Sequence, residues 1–360
     1  MPEPRTIMPF GPQHPVLPEP LQLKLVLEDE KVVEAVPGVG YVHRGLEKLA
    51  EKRDYMSAVY VLERVCGICS IMHAQAYCQG VEELLGVEVP DRARYLRVIW
   101  AEIHRMHSHL LFLGLMADAF GFESLFMHTW RLRERILDIL EQTTGHRIMV
   151  SINTPGGTRR DLSPAMAAHI LDEMGIIETE FVKVEKVFRD DPTISKRLRG
   201  VAVLDKDKAY RLGCVGPVAR ASGLAQDMRK LGYAAYGDLD FEPVVRHDGD
   251  CYARTMVRIG EIHQSISLVR QAIGRLPEGD YCVKVTGNPS GDVVQRLEQP
   301  RGEVYYFLRG DGTKNLSRVR LRTPTFAHLA SLVEMLPGCT LADVPVIILS
   351  IDPCVSCTER

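Results

Sequence analysis

Two identical Cys-x-x-Cys turns stand near opposite ends of a chain of 360 residues. The first is Cys66-Gly67-Ile68-Cys69 and the second Cys354-Val355-Ser356-Cys357, three residues before Arg360. Each pair alone is too small to close a metal's coordination sphere. Facing each other, the pairs place four thiolates around one point, the donor set of a soft transition metal. Nearly the whole chain lies between them, so only a fold that packs the C-terminal tail against the first core helix satisfies this constraint. Nine cysteines in all are an odd number for a disulfide framework. The start, MPEPRTIMPFGPQHP, carries acids and prolines where a signal peptide needs a basic and then an apolar stretch. The expectation is a cytoplasmic chain with reduced thiols. Spacing alone leaves open a structural four-cysteine zinc and a reactive metal centre. Structural zincs usually clip a small unit that cannot fold without metal, whereas 46% hydrophobic residues supply ample core here. Cys78, Cys214, Cys251, Cys282 and Cys339 stand isolated and read as buried inert thiols.

Charge and hydropathy narrow the partners. With 44 Lys and Arg against 47 Asp and Glu the net charge is −3, which provides no basic field for a phosphate backbone and excludes nucleic acid as a main partner. The strongest apolar runs, His109 to Met116 and Val344 to Ile351, fall far short of the roughly 18 residues of a membrane span.

The pattern predicts an α+β chain, mainly helical, with a central bundle of long helices, a β-rich N-terminal hairpin and flanking β segments. Leu21 to Leu27 and Lys31 to Val36 read as strands around an acidic turn. Helical spacing runs through Cys69 to Leu85, Asp91 to Met116, Glu123 to Thr144, Ser163 to Arg189 and Val257 to Ile273. Asp238 to Cys251 and Gly287 to Gly312 are rich in Gly, Pro and Asp, with one strand at Glu303 to Leu308. No repeat or linker divides the chain. The expected organisation is one domain over 1–360, with a β-rich segment 1–45, a helical core 46–275 and a mixed segment 276–360 that carries the metal-binding tail.

Arg64-x-Cys66-Gly67-x-Cys69-x-x-x-His73 and Asp352-Pro353-Cys354-x-x-Cys357-x-x-Arg360 resemble the paired signatures of the large subunit of nickel-iron hydrogenases. Gly11-Pro12-Gln13-His14-Pro15, His43-Arg44-Gly45-Leu46-Glu47-Lys48, Leu84 to Pro90 and His107-Ser108-His109-Leu110 are similar to the homologous 49 kDa subunit of respiratory complex I. Both sets together point to the energy-converting, membrane-associated (group 4) hydrogenases, of the Ech or carbon monoxide-induced type. The complex I subunit lacks the metal-binding cysteines, and this chain keeps all four. A quinone-site reading built on His14 and the surroundings of Tyr55 is the alternative.

The resemblance implies a role for each matching residue. Cys66 and Cys354 would bind nickel alone, and Cys69 and Cys357 would bridge nickel to an iron that carries carbonyl and cyanide ligands. Hydrogen would be split heterolytically, with Cys354 as the base. Glu19, between Pro18 and Pro20, would relay the proton, since a poorly solvated carboxyl has its pKa raised toward the working range. Arg301 in Pro300-Arg301-Gly302 and Thr325 would meet the cyanides as donors, and Asp352 would orient Arg301. Arg64 and His73 would fix the cysteine loop. Relatives that end the second motif in His hold magnesium with a glutamate at the place of Glu47. Arg360 has no lone pair to give, so Glu47 is expected either at such a site or in a plain ion pair. His104, His107 and His109 read as interface or core residues. The implied partners are a small subunit with a 4Fe-4S cluster, ferredoxin-like subunits and ferredoxin, and integral membrane subunits, with the chain on the cytoplasmic face of the membrane. The implied reaction is reversible reduction of protons to hydrogen, coupled to ion movement.

Overall fold

The computed structural model describes residues 5–360. Strands β1 (Arg5–Phe10), β2 (Gln22–Glu28) and β3 (Lys31–Gly38) form an antiparallel sheet in that order. The expected hairpin is therefore widened by β1, whose Pro9 and scattered apolar residues hide its alternation. Helices α1 (Leu46–Glu51), α2 (Tyr55–Glu63), α3 (Ser70–Leu85), α4 (Asp91–Ala119) and α5 (Glu123–Thr144) follow. After the tiny hairpin of β4 (Asn153–Thr154) and β5 (Gly157–Thr158) come α6 (Pro164–Asp190), α7 (Pro192–Leu198), α8 (Lys206–Arg211), α9 (Gly216–Ala221) and α10 (Cys251–Gly274). A second three-stranded antiparallel sheet, β6 (Ser290–Gln299), β7 (Gly302–Asp311) and β8 (Leu316–Arg322), precedes α11 (Pro324–Met335), α12 (Val344–Ser350) and α13 (Val355–Thr358). The α+β, mainly helical expectation holds. The Gly- and Asp-rich stretch before Glu303 differs from the expectation: residues 290–299 pair along their whole length with β7. Their charged residues suit a strand with one solvated face.

Local chemistry explains the boundaries. Ser163 caps α6 by accepting from the Met166 N–H, with Pro164 in the first turn. Gly86 ends α3 in the left-handed conformation. Gly114 lies inside α4 without breaking it, and a Cβ there would meet Trp130 of α5 at 2.6 Å. The residue sets the closeness of the two helices.

Two hydrophobic clusters form the interior. One joins α4, α5, α6, α10 and α12 to the N-terminal sheet; the other joins α2 and α3 to β6–β8 and includes all four motif cysteines. The C-terminal tail lies at their meeting line, with Ile351 and Val355 in the first cluster and Cys354 and Cys357 in the second. A fully buried ion network ties α4, α9, α10 and β6 together. Arg220 pairs with Glu261 and Glu298, while Arg229 pairs with Glu102 and Asp227. Among the described residues no helix is long and apolar enough to cross a membrane.

Candidate metal centre

The first cysteine turn links α2 to α3. Cys66 Sγ accepts the Ile68 N–H at 3.2 Å, and Cys69 is the residue that begins α3. The second follows α12, where Asp352 takes a left-handed conformation with φ 55°. Asp tolerates that region better than most residues. Cys354 then starts α13, its N–H given to Thr325 Oγ1 at 3.1 Å and its sulfur accepting the Cys357 N–H at 3.4 Å. Arg44 fastens the two turns together: its guanidinium donates to the carbonyls of Arg64 (3.0 Å), Val65 (2.8 Å) and Ser356 (2.9 Å).

The four thiols converge although 288 residues separate Cys69 from Cys357. They meet in couples, one sulfur from each turn: Cys66 and Cys354 at 3.2 Å, Cys69 and Cys357 at 3.4 Å. Cys66, Cys69 and Cys357 have their sulfurs within 4.8 Å of one another, and all four residues are buried and unbridged. The separations exceed the roughly 2.05 Å of a disulfide. Two thiolates at a metal–sulfur distance of about 2.3 Å lie about 3.3 Å apart at a right angle and about 3.8 Å apart at the tetrahedral angle. Each couple is thus close enough for both sulfurs to reach one ion.

Electrostatics shows what the bare cluster lacks. The Cys354, Cys357 and Cys69 thiols donate toward Cys66 and hold its pKa well below the usual range. Burial pushes Cys69 and Cys357 well above that range, and the sulfurs of Cys357 and Cys66 do the same to Cys354. Burial thus opposes several thiolates together in the bare cluster, and a bound cation would favour their deprotonated forms.

Around the sulfurs stand the other candidate residues. Arg301 forms the β6–β7 turn with Pro300, and it is buried. Its Nε donates to the Asp352 carbonyl and its Nη2 to the Asp352 carboxylate, each at 2.8 Å. Burial opposes its charge, but Asp352 and the sulfurs of Cys354, Cys66 and Cys69 hold the guanidinium pKa well above its ordinary value. The turn is seated by two glycines packed backbone to backbone: a Cβ on Gly216, at φ 60°, would lie 2.3 Å from the Gly302 Cα. Glu19 accepts the N–H groups of Val355 and Ser356 and the Ser356 hydroxyl, and its carboxylate lies 4.0 Å from Cys354 Sγ. Burial first, then the charge of Cys66, raises its pKa. A cavity of about 150 Å³ opens beside Cys354, lined by Glu19, Ile68, Leu111, Phe112, Leu349 and Arg301 among others.

Several candidates sit differently from expectation. The Arg64 side chain reaches outward to Glu63 and the Tyr60 carbonyl and leaves the loop-fastening role to Arg44. His73 does touch the cluster, its Nε2 3.4 Å from Cys357 Sγ and its Nδ1 2.7 Å from the Tyr306 hydroxyl. Tyr306 left no sequence signal beyond its place in a β-rich run. Glu47 is paired with Arg320 and Arg360, each at 3.1 Å, and accepts the Leu321 N–H, so both carboxylate oxygens face cations of the chain. That is the ion-pair alternative. His104, His107 and His109 are fully buried core residues. His14 stacks on Phe10, while Tyr55 packs in the other hydrophobic cluster. Cys282 is exposed, contrary to the expectation of a buried thiol, because it lies on the irregular stretch that meets Gly157 at an isolated bridge.

The donor set suits a soft metal: four sulfurs, an adjoining cavity with one guanidinium on its wall, and an Asp352 Oδ2 that has no hydrogen-bond partner.

Known proteins resemble the chain along nearly its whole length. Residues 119–288 and 282–360 match the family of the respiratory-chain NADH dehydrogenase 49 Kd subunit, and residues 44–117 match the nickel-dependent hydrogenases. The chain is 40% identical to the membrane-bound hydrogenase subunit alpha of Pyrococcus furiosus, over 98% of this chain and 87% of that protein. It is 39% identical to the carbon monoxide-induced hydrogenase of Rhodospirillum rubrum, over 98% and 99% of the two chains. One chain of the F(420)H(2) dehydrogenase of Methanosarcina mazei is 36% identical, over 98% and 97%. The chain belongs to the family that unites the large subunits of energy-converting hydrogenases with the 49 kDa subunit of respiratory complex I.

Proposed function

We propose that this chain is the catalytic subunit of a membrane-associated nickel-iron hydrogenase that reversibly reduces protons to hydrogen. The observation that carries the reading is the meeting of four free thiols in two couples beside a cavity walled by Arg301. A quinone-reducing relative has no use for four converging thiols. A structural zinc requires neither the adjoining cavity nor a buried guanidinium.

Cys66 and Cys354 would hold nickel, and Cys69 and Cys357 would hold nickel and an iron carrying carbonyl and cyanide. When bound, this group supplies a redox-active centre at which hydrogen is made or split. The chain's own residues do the rest. Cys354 would take and release the proton at its sulfur, and Glu19 would pass it on. Its carboxylate is desolvated, sits 4.0 Å from that sulfur and is held by the α13 amides. Arg301, steadied by Asp352, and the Thr325 hydroxyl, whose proton is free to donate, would face the cyanides as hydrogen-bond donors. His73 would steady Cys357. The apolar wall of Ile68, Leu111, Phe112 and Leu349 would keep bulk water away from the reacting sulfur.

Electrons would arrive from ferredoxin through a partner with a 4Fe-4S cluster and through ferredoxin-like subunits, and integral membrane subunits would couple the reaction to ion movement. The position would be the cytoplasmic face of the membrane. The relatives named as membrane-bound and carbon monoxide-induced hydrogenases support this.

The test is metal analysis with infrared spectroscopy of the purified complex, alongside a hydrogen-evolution assay. Nickel and iron in equal amounts, with carbonyl and cyanide bands, are expected. Zinc alone with no hydrogen evolution would overturn the reading in favour of a structural site, and a metal-free chain that reduces quinone would favour the alternative.

A further inference from the structure

Arg258, on α10, is fully buried and belongs to no ion pair among the described residues. Its Nη1 donates to the carbonyls of Arg254 (2.9 Å) and Ser350 (3.2 Å), while Nε and Nη2 have no partner. The guanidinium lies over the Phe112 ring, 4.2 Å from its centroid. Phe112 in turn lines the cavity beside Cys354, so the ring on which the buried cation rests belongs to the cavity wall. The carboxylates whose charge Arg258 feels are Asp352 and Glu261. Both are already engaged, Asp352 by Arg301 and Glu261 by Arg220. Arg258 is thus left without a carboxylate of its own, and unlike the neighbouring buried Arg254, whose three nitrogens all donate hydrogen bonds, it has two nitrogens unpaired. Its uncompensated state shows in a pKa lowered by burial to about 10. A buried charge with no counter-ion is costly and persists only where something offsets it.

We propose that Arg258 is a positioning residue whose surplus charge is set against the anionic metal–thiolate cluster of Cys66, Cys69, Cys354 and Cys357. Acting through Asp352 and the ring of Phe112, it helps hold Arg301 toward the cavity. This rests on the reading that the four thiols bind a metal, and it extends that reading to a residue that touches neither sulfur nor cavity. Four thiolates outweigh the charge of any divalent ion they surround, so the loaded centre is negative and the leftover cation has its counter-charge.

The test is titration of the metal-free full-length chain with cobalt(II), followed by its thiolate absorption, for wild type, Arg258→Met and Arg258→Lys. Melting temperatures of the metal-free forms are recorded in parallel. Arg258→Met is expected to bind cobalt about tenfold or more weakly, the scale of residues that support metal ligands. Arg258→Lys, which keeps the charge, is expected to stay close to wild type, and metal-free Arg258→Met to melt no lower than wild type. Unchanged cobalt affinity in Arg258→Met overturns the proposal. So does equal weakening in Met and Lys with a lowered metal-free melting temperature, which marks a purely structural arginine, and so does a wild-type chain that binds no cobalt. Four thiolates take cobalt whether the natural metal is zinc or nickel, so failure of the hydrogenase reading is told apart by the metal and infrared analysis above.

Discussion

Replacing Asp352 by Asn isolates the charge that orients Arg301. Asn adopts the left-handed backbone of this position, φ 55°, about as readily as Asp and keeps an oxygen where Oδ1 stands. The Arg301 Nε bond to the backbone carbonyl survives as well. What is lost is the negative charge opposite a guanidinium only 4% exposed. Removing one partner of a buried ion pair costs about 3–5 kcal/mol, and the surviving hydrogen bonds place this case near the lower end, about 3 kcal/mol. With an unfolding entropy of about 2.1 cal/mol/K per residue over 360 residues, that corresponds to a melting temperature lowered by about 4 °C. Scanning calorimetry of the metal-free chain at neutral pH measures it. Asp352→Ala is the steeper arm, because it also loses the acceptor and the short polar side chain that lets Asp and Asn adopt the left-handed region. If Asp352→Asn melts within about 1 °C of wild type, the pair carries no net energy and the account of Arg301 is wrong.

Two further outcomes are expected. Glu19→Gln keeps the shape and hydrogen-bond acceptor of the carboxylate but cannot carry a proton. Metal content should remain at the wild-type level while hydrogen evolution falls about a hundredfold or more, and wild-type turnover in the variant would remove Glu19 from the proton route. The second concerns pH. Burial lowers the pKa of His104 to about 4 and of His328 to about 3. Both folded values lie below the unfolded value of about 6.5, so protonation favours the unfolded chain. The stability they confer is complete above about pH 6.5 and is lost as pH falls from there through 4 toward 3. Denaturant melts across that window should show a falling midpoint whose slope is shallower in His328→Asn, and an unaltered slope would contradict the neutral buried state.

The candidate site was legible to the extent that its chemistry needs rare residues at short spacings. Two Cys-x-x-Cys turns, a Pro-Arg-Gly turn and an Asp-Pro before the second turn are local patterns, and the structure brings all of them to one place. Residues that act by reaching across the fold were not legible in this way. Arg44 was visible only as part of a quoted motif, although its three carbonyl contacts tie the two turns together. Tyr306 reaches His73 from β7, and nothing near it in sequence points to that contact. Arg258 offered a faint signal, its place one turn after Arg254 and just before Glu261 on the apolar-spaced α10. The missed strands β1, β6 and β8 fail for a related reason: their pairing partners, more than their own composition, make them strands.

By itself the sequence determined the four candidate thiols and the helical frame. Thiolate softness and the 3.6-residue period are properties of residue types and of near neighbours, which no later packing alters. Only the tertiary structure decided that the tail closes on the first cysteine turn, and that the sulfurs meet as Cys66 with Cys354 and Cys69 with Cys357. It also decided that Glu47 faces arginines and that a leftover cation stands behind Phe112. These are contacts between segments far apart along the chain, set by which apolar faces are buried together and by where buried charges find their partners.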